Sequence, residues 1–431
     1  MRIAIAGLGT VGAEVARQLL TPHQHPASGT ALELVGVSAR DAGRDRGFSM
    51  DGIAFTPDAA DLAARDDVDC VVELIGGDSG PALDLVESAI AHGKPVVTAN
   101  KALLSRHGAR LARDAEAANV ALMAEASVAG GIPCLKMLRE GLAANRTSRV
   151  SGILNGTCNF ILTEMTRTGR DFDDVLAEAQ DLGYAEADPG FDIDGIDAAH
   201  KLSLLAAIAF GIEPDLDAIS ISGIRSVSAV DIACAGDLGY AIRLLGIAGR
   251  TGDELLLSVQ PTMVPQSSQL AKVDGPLNAV SVDADPVGTI TAIGPGAGAG
   301  ATASAVLADL HEIADGRGVN FFGQPATALT AFKKNANSQG GTARFYMRLG
   351  VYDRPGVLAD ITAVLRDHRI SVESILQHGR SDDGENGSVP VVITTHETTA
   401  TALNEAVDEI TRLDTVLSKP TIMVIADAND G

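Results

Sequence analysis

Hydrophobic residues along this chain recur with two different periods, and the periods alternate. RIAIA (2–6) is short, apolar and rich in β-branched residues, and reads as a strand, whereas AEVARQLL (13–20) has the spacing of a helix. ALELVGVSAR (31–40), DCVVELIG (69–76), KPVVTAN (94–100) and NVALMAEAS (119–127) read as further strands. Helices are expected over 81–92 and from about Ser105 to Ala118. Strand and helix in alternation predict a doubly wound, parallel α/β sheet.

Past residue 130 the pattern becomes mixed. A strand is expected near 150–154, then a helix capped by Asn155 and another over 172–182. Four apolar runs follow at 240–250, 254–264, 277–284 and 288–294, the first two joined by a Thr-Gly-Asp turn. This block reads as α+β, its strands forming one sheet. GPGAGAGATASAVLADL (294–310) is a glycine-rich loop opening a helix, which either contacts a cofactor or returns the chain to the first domain. Residues 328–342 turn polar, as a linker does. The tail then runs strand, helix, strand, strand, helix, strand, the βαββαβ order of a ferredoxin-like domain. The expected domains are 1–130 (with the returning helix near 299–325), 131–327 and 343–431.

Composition supports this size and narrows the partners. A chain of 431 residues suits three domains at about 150 residues each. With 46% hydrophobic and 21% charged residues, it reads as soluble and globular. A net charge of −23 argues against nucleic acid and anionic membranes as partners. Cys70, Cys134, Cys158 and Cys234 show no C-x-x-C spacing, which fits a reducing compartment, and Cys158 reads as a small buried hydrophobe. The N-terminus has no leader pattern, and the run at 202–212 is too short to span a bilayer, so a cytoplasmic protein is expected.

Two stretches carry chemistry. The first is G-L-G-T-V-G, with Gly7, Gly9 and Gly12 between the first strand and first helix. Gly7 permits the tight turn, Gly9 lets a pyrophosphate reach the backbone, and Gly12 lets the helix approach the strand. The helix start, with Thr10 and Val11, would hold the phosphates. At the end of the second strand Arg40 favours the 2′-phosphate of NADP and Asp41 the free hydroxyl of NAD; the arginine comes first, and NADP is expected. The other strand ends facing the crevice bring Gly76, Thr98 and Lys101, and Gly298 lies in the later glycine loop.

The second stretch is GYAEADPGFDIDGIDAAHK (183–201). Pro189 and Gly190 argue for a turn-rich lead-in, followed by a helix from near Gly195–Ile196. Asp197 and Lys201 then share one helix face. An isolated Asp-x-x-x-Lys is ordinarily an exposed ion pair. Here the helix downstream is apolar almost all round, and Glu186, Asp188, Asp192 and Asp194 crowd the lead-in. A buried ammonium held by a carboxylate is a competent proton donor to a carbonyl oxygen.

VVTANK, SVAGGIP, LNGTCNFIL, GYAEADPGFDIDGIDAAHK and the tail's DRPGVLADI occur in order, and together they resemble homoserine dehydrogenases of the larger type, which end in an ACT regulatory domain. The resemblance spans the chain and implies a Rossmann-type first domain, a catalytic and dimerisation domain, and an ACT domain. It implies NAD(P)H-dependent, reversible reduction of L-aspartate 4-semialdehyde to L-homoserine. Lys201 takes the position of the catalytic lysine, Asp197 that of its partner, and Lys101 that of a second lysine. Glu186, aided by Asp192, falls where the substrate's amino group is held. Glu125, Val128, Gly130 and Ile132 fall where the family often carries a monovalent cation, usually sodium. L-threonine is the implied effector, with the alternative that the ACT unit serves only as a dimerisation surface, and a homodimer or homotetramer is the implied assembly. Deleting residues beyond about Asn335 is expected to spare activity and abolish inhibition. The rival reading is a non-catalytic amino-acid sensor on a retained Rossmann scaffold; it predicts lost lysines, and both are present.

Overall fold

The computed structural model describes residues 1–21, 30–251, 254–318, 320–332, 341–377 and 387–426. The polar insertion at 22–29, the tip of the Thr-Gly-Asp turn, most of the expected linker (333–340) and the acidic loop at 378–386 lie outside the described residues. The chain divides into two compact units: Met1–Leu154 with Asp197–Ile219 and Leu277–Lys333, and Asn155–Ile196 with Ser220–Pro276 and Lys334–Gly431.

The first unit is built on a six-stranded parallel sheet. Its order is Ala54–Phe55, Glu33–Ser38, Arg2–Ala6, Cys70–Glu73, Val96–Thr98, Leu122–Met123. The chain winds outward in one direction from Arg2–Ala6, then resumes on its other side at Cys70–Glu73. That reversal opens a crevice at the strands' carboxyl ends, the usual ligand position in such sheets. Ile3, Ile5, Val37, Val72, Val97 and Met123 form the core with Val15 and Ala16 of helix Thr10–Leu20. Ala303, Val306 and Leu310 of helix Ala299–Ala314 join the same core, so this late helix does return to the first sheet. An antiparallel sheet of Arg146–Ile153, Leu277–Asp285 and Gly288–Pro295 completes the unit with helix Ile196–Phe210, buried from Asp197 to Ala207.

In the second unit, helices Gly156–Thr168 and Phe172–Asp181 accompany the antiparallel pair Tyr240–Thr251 and Glu254–Pro265. Helix Ala229–Asp237 went unread in the sequence; its signal is the Ser228-x-x-Asp231 capping box. The tail forms an antiparallel sheet ordered Thr421–Ile425, Thr342–Tyr352, Ser388–Thr395, Val372–Gln377, with helices Val357–Asp367 and Ala400–Ile410 sharing its core. Thr421–Ile425 also pairs in parallel with Glu254–Pro265, at Thr262↔Val424 and Met263↔Ile425.

Two local expectations need correction. The helix expected from Ser105 starts at Lys101, because the Asn100 side chain accepts the Leu103 N–H and caps it there. Pro189 and Gly190 do not merely make turns: Pro189 precedes a one-turn helix, Gly190–Ile193, where its missing N–H costs nothing. Among the described residues no helix is long and apolar enough to cross a membrane.

Candidate active site

The glycine turn has three different reasons for its glycines. Gly7 has φ +95°, and a Cβ there would lie 2.3 Å from the Leu74 carbonyl oxygen. A Cβ on Gly12 would lie 1.9 Å from the Gly7 carbonyl oxygen, so its nearest obstacle is the turn itself. A Cβ on Gly9 would meet nothing within 4 Å, so this glycine faces open space. Helix Thr10–Leu20 has no side-chain cap, leaving first-turn amides, including those of Val11 and Gly12, unspent on a cap. An open backbone beside an uncapped helix start is what a pyrophosphate requires, so these residues fit a dinucleotide. Gly298 repeats the arrangement, with φ +108°, open space and an uncapped helix after it. Gly76 also has a positive φ and open space. Arg40 is exposed two residues beyond strand Glu33–Ser38. The Asp41 carboxylate accepts the Gly43 N–H at 2.8 Å, and Arg46 donates to the Asp41 carbonyl.

The structure brings Lys101, Asp197 and Lys201 together. Asp197 Oδ2 lies 2.8 Å from Lys201 Nζ, and Asp197 Oδ1 lies 3.2 Å from Lys101 Nζ. One carboxylate therefore binds both ammoniums. Asp197 and Lys201 are buried, at 5% and 8% exposure, which removes the exposed-ion-pair reading. Lys201 Nζ also donates to the Leu154 carbonyl at 2.7 Å, which Asn278 Nδ2 shares at 3.0 Å. Lys101 stands at the first position of its helix, where the macrodipole disfavours a cation; the Asp197 carboxylate offsets this. Helices Lys101–Ala117 and Ile196–Phe210 are joined by Ser105 Oγ, which donates to the His200 carbonyl at 3.1 Å, and by Ser203 Oγ, 3.1 Å from Ser105 Oγ. Sequence reading passed over these serines and Asn100. The ANK and HKLS spacings are their only trace. Burial, then the Lys101 charge, lowers the pKa of His200, keeping it neutral and a poor acid.

At the next strand end the Glu125 carboxylate is buried and accepts the Leu135 N–H at 2.9 Å and the Lys136 N–H at 3.0 Å. Burial, with Asp309 nearby, pushes its pKa up to about 7. Asp309 accepts the Glu125 N–H at 2.8 Å and pairs with Lys136 at 3.0 Å. Between Val128 and Ile132 the chain turns through Ala129 and Gly130, both with positive φ. A Cβ on Gly130 would lie 2.6 Å from the Gly296 carbonyl oxygen, so this turn lies against the later glycine loop. Among the described residues no group of three or more His, Cys, Asp or Glu side chains is gathered as for a metal.

In the second unit Glu186 is exposed, and its backbone carbonyl accepts Gln180 Nε2 at 3.0 Å. Asp192 is half-buried, and its Oδ1 accepts Asn155 Nδ2 at 2.8 Å. Asn155 also caps helix Gly156–Thr168 through the Cys158 N–H. Cys158 is fully buried, with Sγ 3.3 Å from the Asp192 carbonyl oxygen. Asp194 pairs with Arg225, whose hydrogen bonds hold its pKa below the usual carboxylate range.

Three family descriptions match in series. Residues 7–125 match the NAD-binding domain of homoserine dehydrogenase, 133–311 homoserine dehydrogenase, and 345–414 the ACT domain. A homoserine dehydrogenase of Neisseria gonorrhoeae is 42% identical, over 98% of both chains. The chain belongs to the homoserine dehydrogenase family. Homoserine dehydrogenases are oxidoreductases, and the glycine turn at Gly7–Gly12 opens the region, residues 7–125, that matches their NAD-binding domain. The crystal structure of a homoserine dehydrogenase from Thiobacillus denitrificans is similar at TM-score 0.91 and 41% identity, covering 99% of this chain and 98% of that one. A hyperthermophilic archaeal homoserine dehydrogenase solved with NADPH is similar at TM-score 0.63 and 26% identity, over 74% of this chain and 99% of that one.

Proposed function

We propose that the enzyme interconverts L-aspartate 4-semialdehyde and L-homoserine with NADP(H), in the biosynthesis of threonine, methionine and isoleucine, and that L-threonine inhibits it through the ACT domain. The observation that carries the chemistry is the single Asp197 carboxylate held between Lys201 and Lys101. A nicotinamide dinucleotide held at the Gly7–Gly12 turn would supply the hydride chemistry, given to the aldehyde carbon or taken from the alcohol. Lys201 stabilises the developing alkoxide and gives it a proton. An ammonium has three N–H donors, and two are directed at Asp197 and Leu154, which leaves one for the substrate oxygen. Asp197 fixes Lys201, and Lys101 positions the reacting carbonyl or the nicotinamide. Glu186, aided by Asp192, is assigned the substrate's ammonium group. Asp192 is suited to this because Asn155 already orients it.

NADP is preferred in this reading because Arg40 is exposed while the Asp41 carboxylate is engaged by its own turn. A sodium ion is assigned to the Glu125 carboxylate and the carbonyls of Val128, Gly130 and Ile132; the burial of that carboxylate, which a cation would offset, supports it. Residues 1–130 with 299–325 serve the dinucleotide, 131–327 the substrate and dimerisation, and 343–431 regulation, in a homodimer or homotetramer. For the effector, a cavity of about 260 Å³ lies beside Tyr352, Asp353, Arg354, Gly356, Leu358 and Gln377. It is below the size that suits drug-like ligands, and it lies at the uncapped start of helix Val357–Asp367, where backbone amides can hold a carboxylate. Initial rates of L-homoserine oxidation with NADP and with NAD, each with and without L-threonine, test the whole proposal. A rate with NADP that threonine suppresses is expected. A rate indifferent to threonine removes the regulatory part, and no rate with either cofactor removes the assignment of the lysines.

A further inference from the structure

The carboxylate of Glu73, at the end of strand Cys70–Glu73, is completely buried, yet among the described residues it accepts its three hydrogen bonds from neutral donors. Its Oε1 takes the N–H groups of Ile75 and Gly76, at 2.7 and 3.0 Å. Its Oε2 takes the Thr98 hydroxyl at 2.5 Å from the neighbouring strand, where Glu73 and Thr98 are register partners. Burying a carboxylate is costly, and an apolar side chain of similar volume is often at least as stable in such a position. The use of this one lies in what its three donors belong to.

One arm runs to the dinucleotide cradle. Ile75 and Gly76 lead into two successive positive-φ glycines, Gly76 and Gly77, each at +85°. The backbone of Leu74 and Ile75 is also the wall against which Gly7 sits, within 2.7 Å of where a Cβ would be. The other arm runs to the lysine. Thr98 Oγ1 accepts the Asn100 N–H at 3.0 Å, and Asn100 caps the helix whose first residue is Lys101. Asn100 Nδ2 closes the circuit by donating to the Gly77 carbonyl at 2.7 Å. Glu73 thus sits where the backing of the dinucleotide turn and the seat of Lys101 are tied together.

We propose that Glu73 is a positioning residue for the dehydrogenase reaction, holding the first-glycine turn and Lys101 in register with each other. It touches no reacting atom and acts through Ile75–Gly76 on one side and Thr98–Asn100 on the other. The inference rests on the family's reaction and on these contacts, and it is independent of threonine regulation and of the choice between NADP and NAD.

Three substitutions test it. Glu73→Leu keeps the volume and removes both arms. Glu73→Asp keeps the charge but is too short to span both donor sets. Glu73→Gln keeps an oxygen for the two amides and offers an N–H to Thr98 Oγ1, so it rebuilds both arms. Each is measured for kcat and KM in L-homoserine oxidation, for the Kd of NADPH and NADH by their fluorescence, and for Tm. Leu111→Ala, a core truncation elsewhere in the Lys101 helix, calibrates stability loss alone. A misplacement of about 1 Å can cost about a hundredfold in rate. Glu73→Leu and Glu73→Asp are therefore expected to lose at least about tenfold in kcat and at least about tenfold in dinucleotide affinity, with Glu73→Gln within about threefold of the parent. If Glu73→Leu does not fold, Glu73→Asp carries the comparison. The proposal is overturned if Glu73→Asp or a folded Glu73→Leu keeps kcat and Kd within about twofold. It is equally overturned if Glu73→Gln falls as far as the other two, or if every effect tracks Tm as in Leu111→Ala.

Discussion

At the scale of single residues, function here depends on where charges are buried. Lys201 has its ammonium fixed by a carboxylate and a carbonyl, and what it must still do is release a proton. Lys201→Arg keeps a positive charge that does not deprotonate. The expected outcome is a loss in kcat of about a hundredfold or more with KM changed only a few-fold; steady-state rates of homoserine oxidation check it, and an unimpaired kcat would remove Lys201 from the proton's path. His200, its neighbour, makes the opposite kind of prediction. The groups that act on it are Lys101, Asp197, Arg106 and Asp78, and burial with Lys101 prevails, lowering its pKa from 6.5. The unfolded chain therefore binds the proton more readily, and stability falls as pH drops through about 6.5. His200→Gln should lose less Tm than the parent between about pH 7 and about pH 5; parallel melting curves decide it, and equal losses would mean His200 carries none of the acid sensitivity. The Asp197–Lys201 pair was legible because an i,i+4 spacing fixes a helix face. That one carboxylate also reaches Lys101 was not, because the two residues are brought together only by tertiary packing.

At the scale of elements, strands and helices were legible wherever the apolar period was clean, and the ends were legible where a cap or glycine marks them. The Lys101 helix shows the limit. Its start depends on one side chain, Asn100, reaching the Leu103 amide, which is indistinguishable in sequence from a turn ahead of a later start. Helix Ala229–Asp237 is short and weakly patterned, and its stability is tied to Asp231, whose carboxylate is fully buried. The glycine turn yields a sharper test, because its glycines are required for different reasons. Gly9 has an ordinary φ of −76° and open space around a Cβ, so Gly9→Ala should fold normally and weaken dinucleotide binding by obstructing the approach to the backbone. Gly12→Ala places a methyl 1.9 Å from a carbonyl oxygen, so it should cost stability first, on the order of the 1–3 kcal/mol typical of overpacking. Melting curves and NADPH titrations on both variants separate the two; a Gly9→Ala protein with native affinity would show that nothing closes on that glycine.

At the scale of the whole molecule, the order of domains could be read from the sequence, but the attachment of the tail could not. Nothing in a βαββαβ pattern says whether it hangs from a linker or shares structure with what precedes it. Here its last strand, Thr421–Ile425, adds to the strand Glu254–Pro265. Its first strand also sends two side chains to the same buried carboxylate: Tyr346 Oη lies 2.8 Å and Arg348 Nε 2.7 Å from Asp231 Oδ1. Removing the tail would strip Asp231 of its cationic partner and leave a strand edge unpaired. Losing these contacts together with the shared strand lowers the ~5–15 kcal/mol that keeps a domain folded. The truncation beyond Asn335, which from sequence looked like a clean separation of catalysis from regulation, is therefore expected to lower Tm sharply and to lose activity through unfolding. A substitution inside the effector cavity is the better instrument. Ala359 is exposed and lines that cavity, so Ala359→Trp fills it without disturbing the core. The expected result is unchanged Tm and kcat, with the threonine concentration for half-inhibition raised at least about tenfold. Unaltered inhibition in Ala359→Trp would place the effector elsewhere, and a stable, active truncation would show that the shared strand and the Asp231 contacts contribute little to holding the second unit together.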